Sequence, residues 1–173
     1  MQSIYFGKVK IKPWQYLTAG ALVGFFLLSR KNRPSWNSPI EGYSPLESEE
    51  GCDPTEKPGV KAFRSYVLSH FGGTDMGILR DCNSGGVSGH KIGKSWDWGV
   101  AGGNVIGLLN FLFANDNEVI RRAGITYFIW NRHIWNTRNR TWQNYTGSNP
   151  HTDHIHFSLG QAGANGQTSF YRG

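Results

Sequence analysis

Three of the six histidines fall within His151-Thr152-Asp153-His154-Ile155-His156. Read as a strand, this segment points His154 and His156 to one face and Ile155 and Phe157 to the other. The apolar face gives the strand a core to sit on. The paired imidazoles need a metal, a carboxylate or water to satisfy them. A second group lies upstream in Ser88-Gly89-His90-Lys91-Ile92-Gly93-Lys94-Ser95-Trp96-Asp97. His90 comes from a loop and Asp97 from a predicted strand, and Gly93 allows the chain to reverse between them. Neutral imidazoles and a carboxylate suit zinc, and three protein ligands plus a water leave the open position that a catalytic site requires. The two cysteines, Cys52 and Cys82, stand in no Cys/His ligand spacing, so a closed thiolate site is not expected. An oxidising compartment would let them pair, closing a loop worth about 3 kcal/mol; the cytoplasm would leave two free thiols.

These residues need elements to position them. Pro58 opens a predicted helix with Val60, Phe63, Val67 and Phe71 on one face, and Gly72-Gly73 ends it. Residues 77–80 read as a short strand ending at Arg80. A Gly/Ser-rich loop over 83–89 leads to a strand over 95–99. Residues 105–113 and 118–123 are helical by composition. A strand over 125–130 pairs with 133–135 through an Asn131-Arg132 turn. Residues 137–150 read as a long polar loop and 154–159 as the last strand. No β-α-β alternation is present, which predicts an α+β domain over 52–173: a small antiparallel sheet with flanking helices and zinc in a cleft on the sheet. No internal repeat is visible.

A chain of 173 residues leaves room for one domain and an appendage. Residues 14–29, WQYLTAGALVGFFLLS, carry no charge and lie between Lys8, Lys10, Lys12 and Arg30, Lys31, Arg33. As a helix they span about 24 Å, short of the ~30 Å hydrocarbon core. Snorkelling by Lys12 and Arg30, with Trp14 and Tyr16 at the interface, makes up the difference. No A-x-A-like cleavage site follows, so residues 1–30 are expected to be an uncleaved transmembrane anchor in a lipid bilayer. Charge assigns no clear orientation, because the flanks carry equal numbers of basic residues. Gly20 and Gly24 form a small-xxx-small pair suited to an anchor-helix dimer. Residues 31–51, with Pro34, Pro39 and Pro45 among Ser, Asn and Glu, read as a flexible polar linker reaching about 25 Å. The net charge of +6 fits solubility and membrane flanking, or attraction to an anionic polymer. Its Lys and Arg are scattered rather than arrayed, which argues against a nucleic-acid partner.

The run Ser88-x-His90-x-x-Gly93-x-Ser95-x-Asp97, followed by His154-x-His156, resembles the signature of the lysostaphin, D-Ala-D-Ala carboxypeptidase and hedgehog group of zinc peptidases. The group's pattern is S-x-H-x-x-G-x-A-x-D, from which Ser95 departs by a hydroxyl. The stretches CDPTEKPGV, GILRDC, SWDWGV, GITYFIWNRHIW and NPHTDHIHFS are similar to a secreted actinobacterial-type domain of this group, over about 120 residues. The resemblance implies His90, Asp97 and His156 as zinc ligands, with His154 assisting the reacting water. His151 extends the pattern to the H-x-x-H-x-H of murein endopeptidases. Asp153 stands where vancomycin-resistance dipeptidases carry a catalytic Glu, so it and His154 are both base candidates, with His154 preferred. Arg80 matches loosely as an oxyanion stabiliser; an ion pair with Asp81 or Asp75 is the other role open to it. Both cysteines lie within the resemblance, which supports their pairing. His70 and His133 match nothing, and His70 reads as a helix C-terminal residue favoured by the macrodipole.

The implied activity is metal-assisted hydrolysis of amide bonds in peptidoglycan, by an endopeptidase or carboxypeptidase. The catalytic domain would be held outside the cytoplasm, in host wall remodelling or in wall penetration or lysis by a phage. The alternative is a zinc-containing wall-binding module without catalysis. The anchor has its own test: full-length protein should fractionate with membranes. A mature N-terminus beyond Ser29 would identify the segment as a signal peptide instead.

Overall fold

Alternating side-chain chemistry along the central strands sets the architecture. In the computed structural model, which describes residues 36–172, β2 (Ser95–Gly103) buries Trp96 and Trp98 completely, and Ser95, Asp97 and Gly99 alternate with them. β6 (His154–Leu159) likewise buries Ile155, Phe157 and Leu159 in the core, alternating with His154, His156 and Ser158. With β1 (Gly72–Asp75), β3 (Ile125–Trp130), β4 (His133–Asn136) and β5 (Trp142–Asn144), they form a six-stranded antiparallel sheet of order β1-β2-β6-β3-β4-β5. Helices α1 (Pro58–Phe71) and α2 (Val105–Ala123) supply Val60, Phe63, Val67, Leu108, Leu112 and Ile120 to the same core, and the short α3 (Gln161–Ala164) follows β6. The expected α+β class and antiparallel sheet are therefore present. Phe63 sits at the centre of the core, edge-on to Trp96, Phe157 and Phe170 at centroid distances of 6.2, 5.3 and 5.9 Å.

Local chemistry accounts for most boundaries. Pro58 starts α1, and Gly72 ends it at φ 69°. Asn115, Asp116 and Asn117 adopt left-handed φ of 50–59° and divide α2 between the two helical stretches expected from composition. Asn131 and Arg132, at φ 46° and 66°, make the two-residue turn between β3 and β4, the geometry that matches strand twist. Cys52 and Cys82 are joined by a disulfide with Cα atoms 5.7 Å apart.

Three expectations are corrected. The strand expected over 77–80 is absent, and β1 lies earlier, at Gly72–Asp75. The glycines that stop α1 also let β1 lie across Trp98, whose Nε1 donates to the Gly72 carbonyl at 2.8 Å; a Cβ on Gly73 would stand 2.3 Å from that nitrogen. Beyond β1 the chain is drawn away to place the Ile78 carbonyl on His90. The polar loop over 137–150 contains edge strand β5, because Trp142 packs on Phe113 and Phe128 at 6.0 and 5.2 Å. Finally, residues 36–51 are no free tether in this structure. They run without helix or strand along the domain, held by Glu41 on Ser169, Glu47 on Lys94 and Glu49 on Tyr127. Polar composition suppresses regular structure here but supplies the carboxylates that bind.

The anchor expected over residues 14–29, with Gly20 and Gly24, lies outside the described residues. Among those described, no helix is long and apolar enough to cross a membrane.

The packing around Phe63 has a measurable consequence. Phe63→Ala should lower unfolding stability by about 3–5 kcal/mol through lost burial and the cavity left behind. Urea unfolding checks this; a loss below about 1 kcal/mol would contradict the packing described.

Candidate metal centre

The β2–β6 register places Asp97 directly opposite His156, and Gly99 opposite His154. His90 arrives from a 3-10 turn, Gly89–Ile92, which Gly93 closes at φ 66°. Three atoms converge there. Asp97 Oδ1 lies 2.8 Å from His156 Nδ1 and 3.2 Å from His90 Nε2, and the two nitrogens are 3.1 Å apart. Both imidazoles are buried.

The outer nitrogens determine what these atoms present. His90 Nδ1–H donates to the Ile78 carbonyl at 2.8 Å, which leaves a lone pair on Nε2. His156 Nε2 stands 3.3 Å from the Tyr127 hydroxyl, whose own proton goes to Glu49 at 2.9–3.0 Å. The Tyr127 oxygen is thus free to accept from His156 Nε2–H, and His156 Nδ1 also carries a lone pair. Two lone pairs and a carboxylate oxygen facing one another repel unless a cation sits among them. Ligands about 2.0–2.2 Å from a tetrahedral zinc stand roughly 3.3–3.6 Å apart, so a slight opening of this triangle makes three corners of such a site. His90, Asp97 and His156 together can hold a metal ion, and their N₂O donor set suits zinc.

His154 lies beside the triangle. Its Nε2 is 4.0 Å from Asp97 Oδ2, the oxygen turned away from the other two histidines, and its Nδ1–H donates to Asp153 Oδ1 at 2.7 Å. Asp153 itself is 75% exposed and stands behind His154. Its carboxyl is held below the usual carboxylate range by that hydrogen bond. Of the two base candidates, His154 therefore faces the centre and Asp153 orients it. His151, at φ 49°, lies with its ring 4.8 Å from that of His154 and 5.2 Å from that of Tyr145, forming a wall of the site.

Arg80 is not brought into the cluster. It is exposed, and among the described residues its side chain makes no hydrogen bond or ion pair. Asp75 pairs instead with Arg64 at 3.2 Å. His70 lies in the last turn of α1 as expected, stacked on Tyr66, and His133 bonds the Asn131 carbonyl at 2.7 Å; both stand apart from the centre. The sequence reading missed Tyr127 and Glu49. Tyr127 carries a signal, since it alternates with the buried Phe128, but only the strand order places it beside β6. Glu49 carries none.

Burial disfavours charge on His156 and His151. Desolvation lowers the pKa of His156, and desolvation with the neighbouring His156 and His154 lowers His151 to about 4. A histidine whose pKa falls on folding binds fewer protons folded than unfolded once pH drops below its ordinary 6.5. Chelator-treated protein should accordingly lose stability as pH falls from 6.5 toward about 4, and His151→Gln should flatten that fall. A urea midpoint unchanged between pH 7 and about 4.5 would contradict the burial of these rings.

No curated protein and no solved structure matches the chain. Residues 52–156 match the family described as VldE, C-terminal domain, a span that begins at the first cysteine and ends at the second histidine of the triangle. That span takes in His90, Asp97, His151, His154 and His156 and covers more than half of the sequence. The chain belongs to the VldE C-terminal domain family.

Proposed function

We propose that the protein is a zinc-dependent peptidase of peptidoglycan, similar in its centre to the lysostaphin and D-Ala-D-Ala carboxypeptidase group. The domain would be held outside the cytoplasm by the N-terminal anchor. The observation that carries this reading is the convergence of three acceptor atoms with one further histidine turned toward them but outside the triangle. A structural metal site would use the fourth position for a protein ligand; here the fourth neighbour, His154, is oriented by a carboxylate instead. The disulfide supports an oxidising compartment, and the net charge of +6 suits an anionic wall polymer.

Zinc bound by His90, Asp97 and His156 would supply Lewis acidity, bringing a water's pKa toward ~7 and polarising the scissile carbonyl. The remaining work belongs to the chain. His154, with Nδ1–H committed to Asp153, has its lone pair on Nε2 facing the centre. It takes the proton released as water attacks the amide carbon and returns it to the leaving amine. Asp153 holds the tautomer. His151 and Tyr145 wall the site against bulk water.

Purified full-length protein should release new amino groups from sacculi, and a chelator should stop it. His90→Ala and His156→Ala should lose both zinc and activity. His154→Ala should keep most zinc while hydrolysis falls about 100-fold or more. Asp153→Asn should cost less, about 10-fold, because it acts through His154. A wild type that holds zinc and binds wall yet releases no amino groups would make the domain a wall-binding module, and the peptidase reading would fail.

A further inference from the structure

Three of the four carboxylates of residues 36–51 grip the domain at different places. Glu41 bonds Ser169 through its amide and hydroxyl at 2.5 and 2.6 Å. Glu47 takes Lys94 Nζ at 2.7 Å and the Gln161 amide at 2.9 Å. Glu49 alone reaches the back of the metal centre. Its oxygens accept from Tyr127 Oη at 2.9 and 3.0 Å, Ser158 Oγ at 2.6 Å and the Gly89 amide at 2.9 Å. Each donor adjoins a ligand. Gly89 precedes His90 in the 3-10 turn, Ser158 follows His156 on the same alternation of β6, and Tyr127 Oη touches His156 Nε2 at 3.3 Å. The approach is close: a Cβ at position 89 would stand 2.8 Å from Glu49 Oε1 and 2.1 Å from Ser95 Oγ.

We propose that Glu49 is a positioning residue of the metal centre, holding His156 through Tyr127 and the turn bearing His90 through the Gly89 amide. An ionised carboxylate only accepts, so it commits the single Tyr127 proton to itself. The Tyr127 oxygen must then accept from His156 Nε2–H, and Nδ1 is left for the metal. Partners behind a ligand of this kind typically set metal affinity by about 10–100-fold. Glu49 lies outside the stretch matched by the family, so this chain carries the device on the segment leading into its domain. The inference rests on the metal-centre reading.

The test is zinc affinity of the full-length protein, by competition with a chromophoric chelator, together with the visible absorption of the cobalt-substituted form. Glu49→Ala and Tyr127→Phe should each weaken zinc binding about 10–100-fold and shift the cobalt bands. The double variant should be little weaker than the worse single, because both act on one path. Glu49→Gln, nearly the same shape, should weaken binding in the same direction and keeps the test readable if the alanine variant folds poorly. Glu47→Ala, which also loosens the segment, should lower the unfolding midpoint and leave affinity unchanged. Glu49 variants within about 2-fold of wild type, or a Glu47→Ala loss of equal size, would overturn the proposal and leave the metal centre standing. A wild type that binds no zinc would overturn the metal centre and this proposal with it.

Discussion

The pairing of β2 with β6 is the constraint on which the rest depends. In that register Trp96 lies opposite Phe157 and Asp97 lies opposite His156. The two aromatic side chains are fully buried, each worth about 1.5–3 kcal/mol relative to exposure. A slip of one residue would turn the aromatics out and the polar residues into the core, so burial on one face enforces alignment on the other. The polar face needs that enforcement. Three electron-rich atoms within 3.2 Å of one another do not assemble through mutual attraction. The hydrophobic face supplies the free energy that keeps them together.

Register places the side chains, but their outer nitrogens decide the chemistry. Each of the three central histidines is oriented by a different acceptor. A backbone carbonyl takes the His90 proton, a phenol oxygen takes that of His156, and a carboxylate takes that of His154. The result is mixed use of the ring atoms, with Nε2 of His90 and Nδ1 of His156 turned to one point and Nε2 of His154 turned toward its edge. A motif read as letters does not contain this distinction.

The segment before the domain shows how a polar, irregular stretch is kept in place with few apolar contacts, Tyr43 on the core and Trp36 edge-on to Phe111 among them. Its apolar content is low, and it attaches through carboxylates to amides, hydroxyls and a lysine, while Arg122 donates to the backbone carbonyls of Trp36 and Ser38. These contacts are individually modest, since a net hydrogen bond contributes about 1 kcal/mol. Their spacing along the chain nonetheless fixes its path, and that path delivers Glu49 to the rear of the ligand cluster.

The sequence by itself determined whatever depends on neighbours along the chain. Pro58 and Gly72 bounded α1, Asn131-Arg132 bounded the hairpin, and the alternation in His154-Ile155-His156-Phe157 assigned faces in β6. These are backbone preferences and strand periodicity, legible in a few residues. The candidate ligand set came only from resemblance to a known signature, since spacing left His154 and His156 equivalent. Tertiary structure decided the rest. Strand order put Tyr127 beside β6, and the position of Trp98 under β1 shifted the edge strand from 77–80 to Gly72–Asp75. Trp142 found its aromatic partners and made a strand of part of a polar loop. Glu49 met donors 40, 78 and 109 residues away. No local pattern encodes such contacts, because they exist only once the core has set the distance between elements remote in sequence.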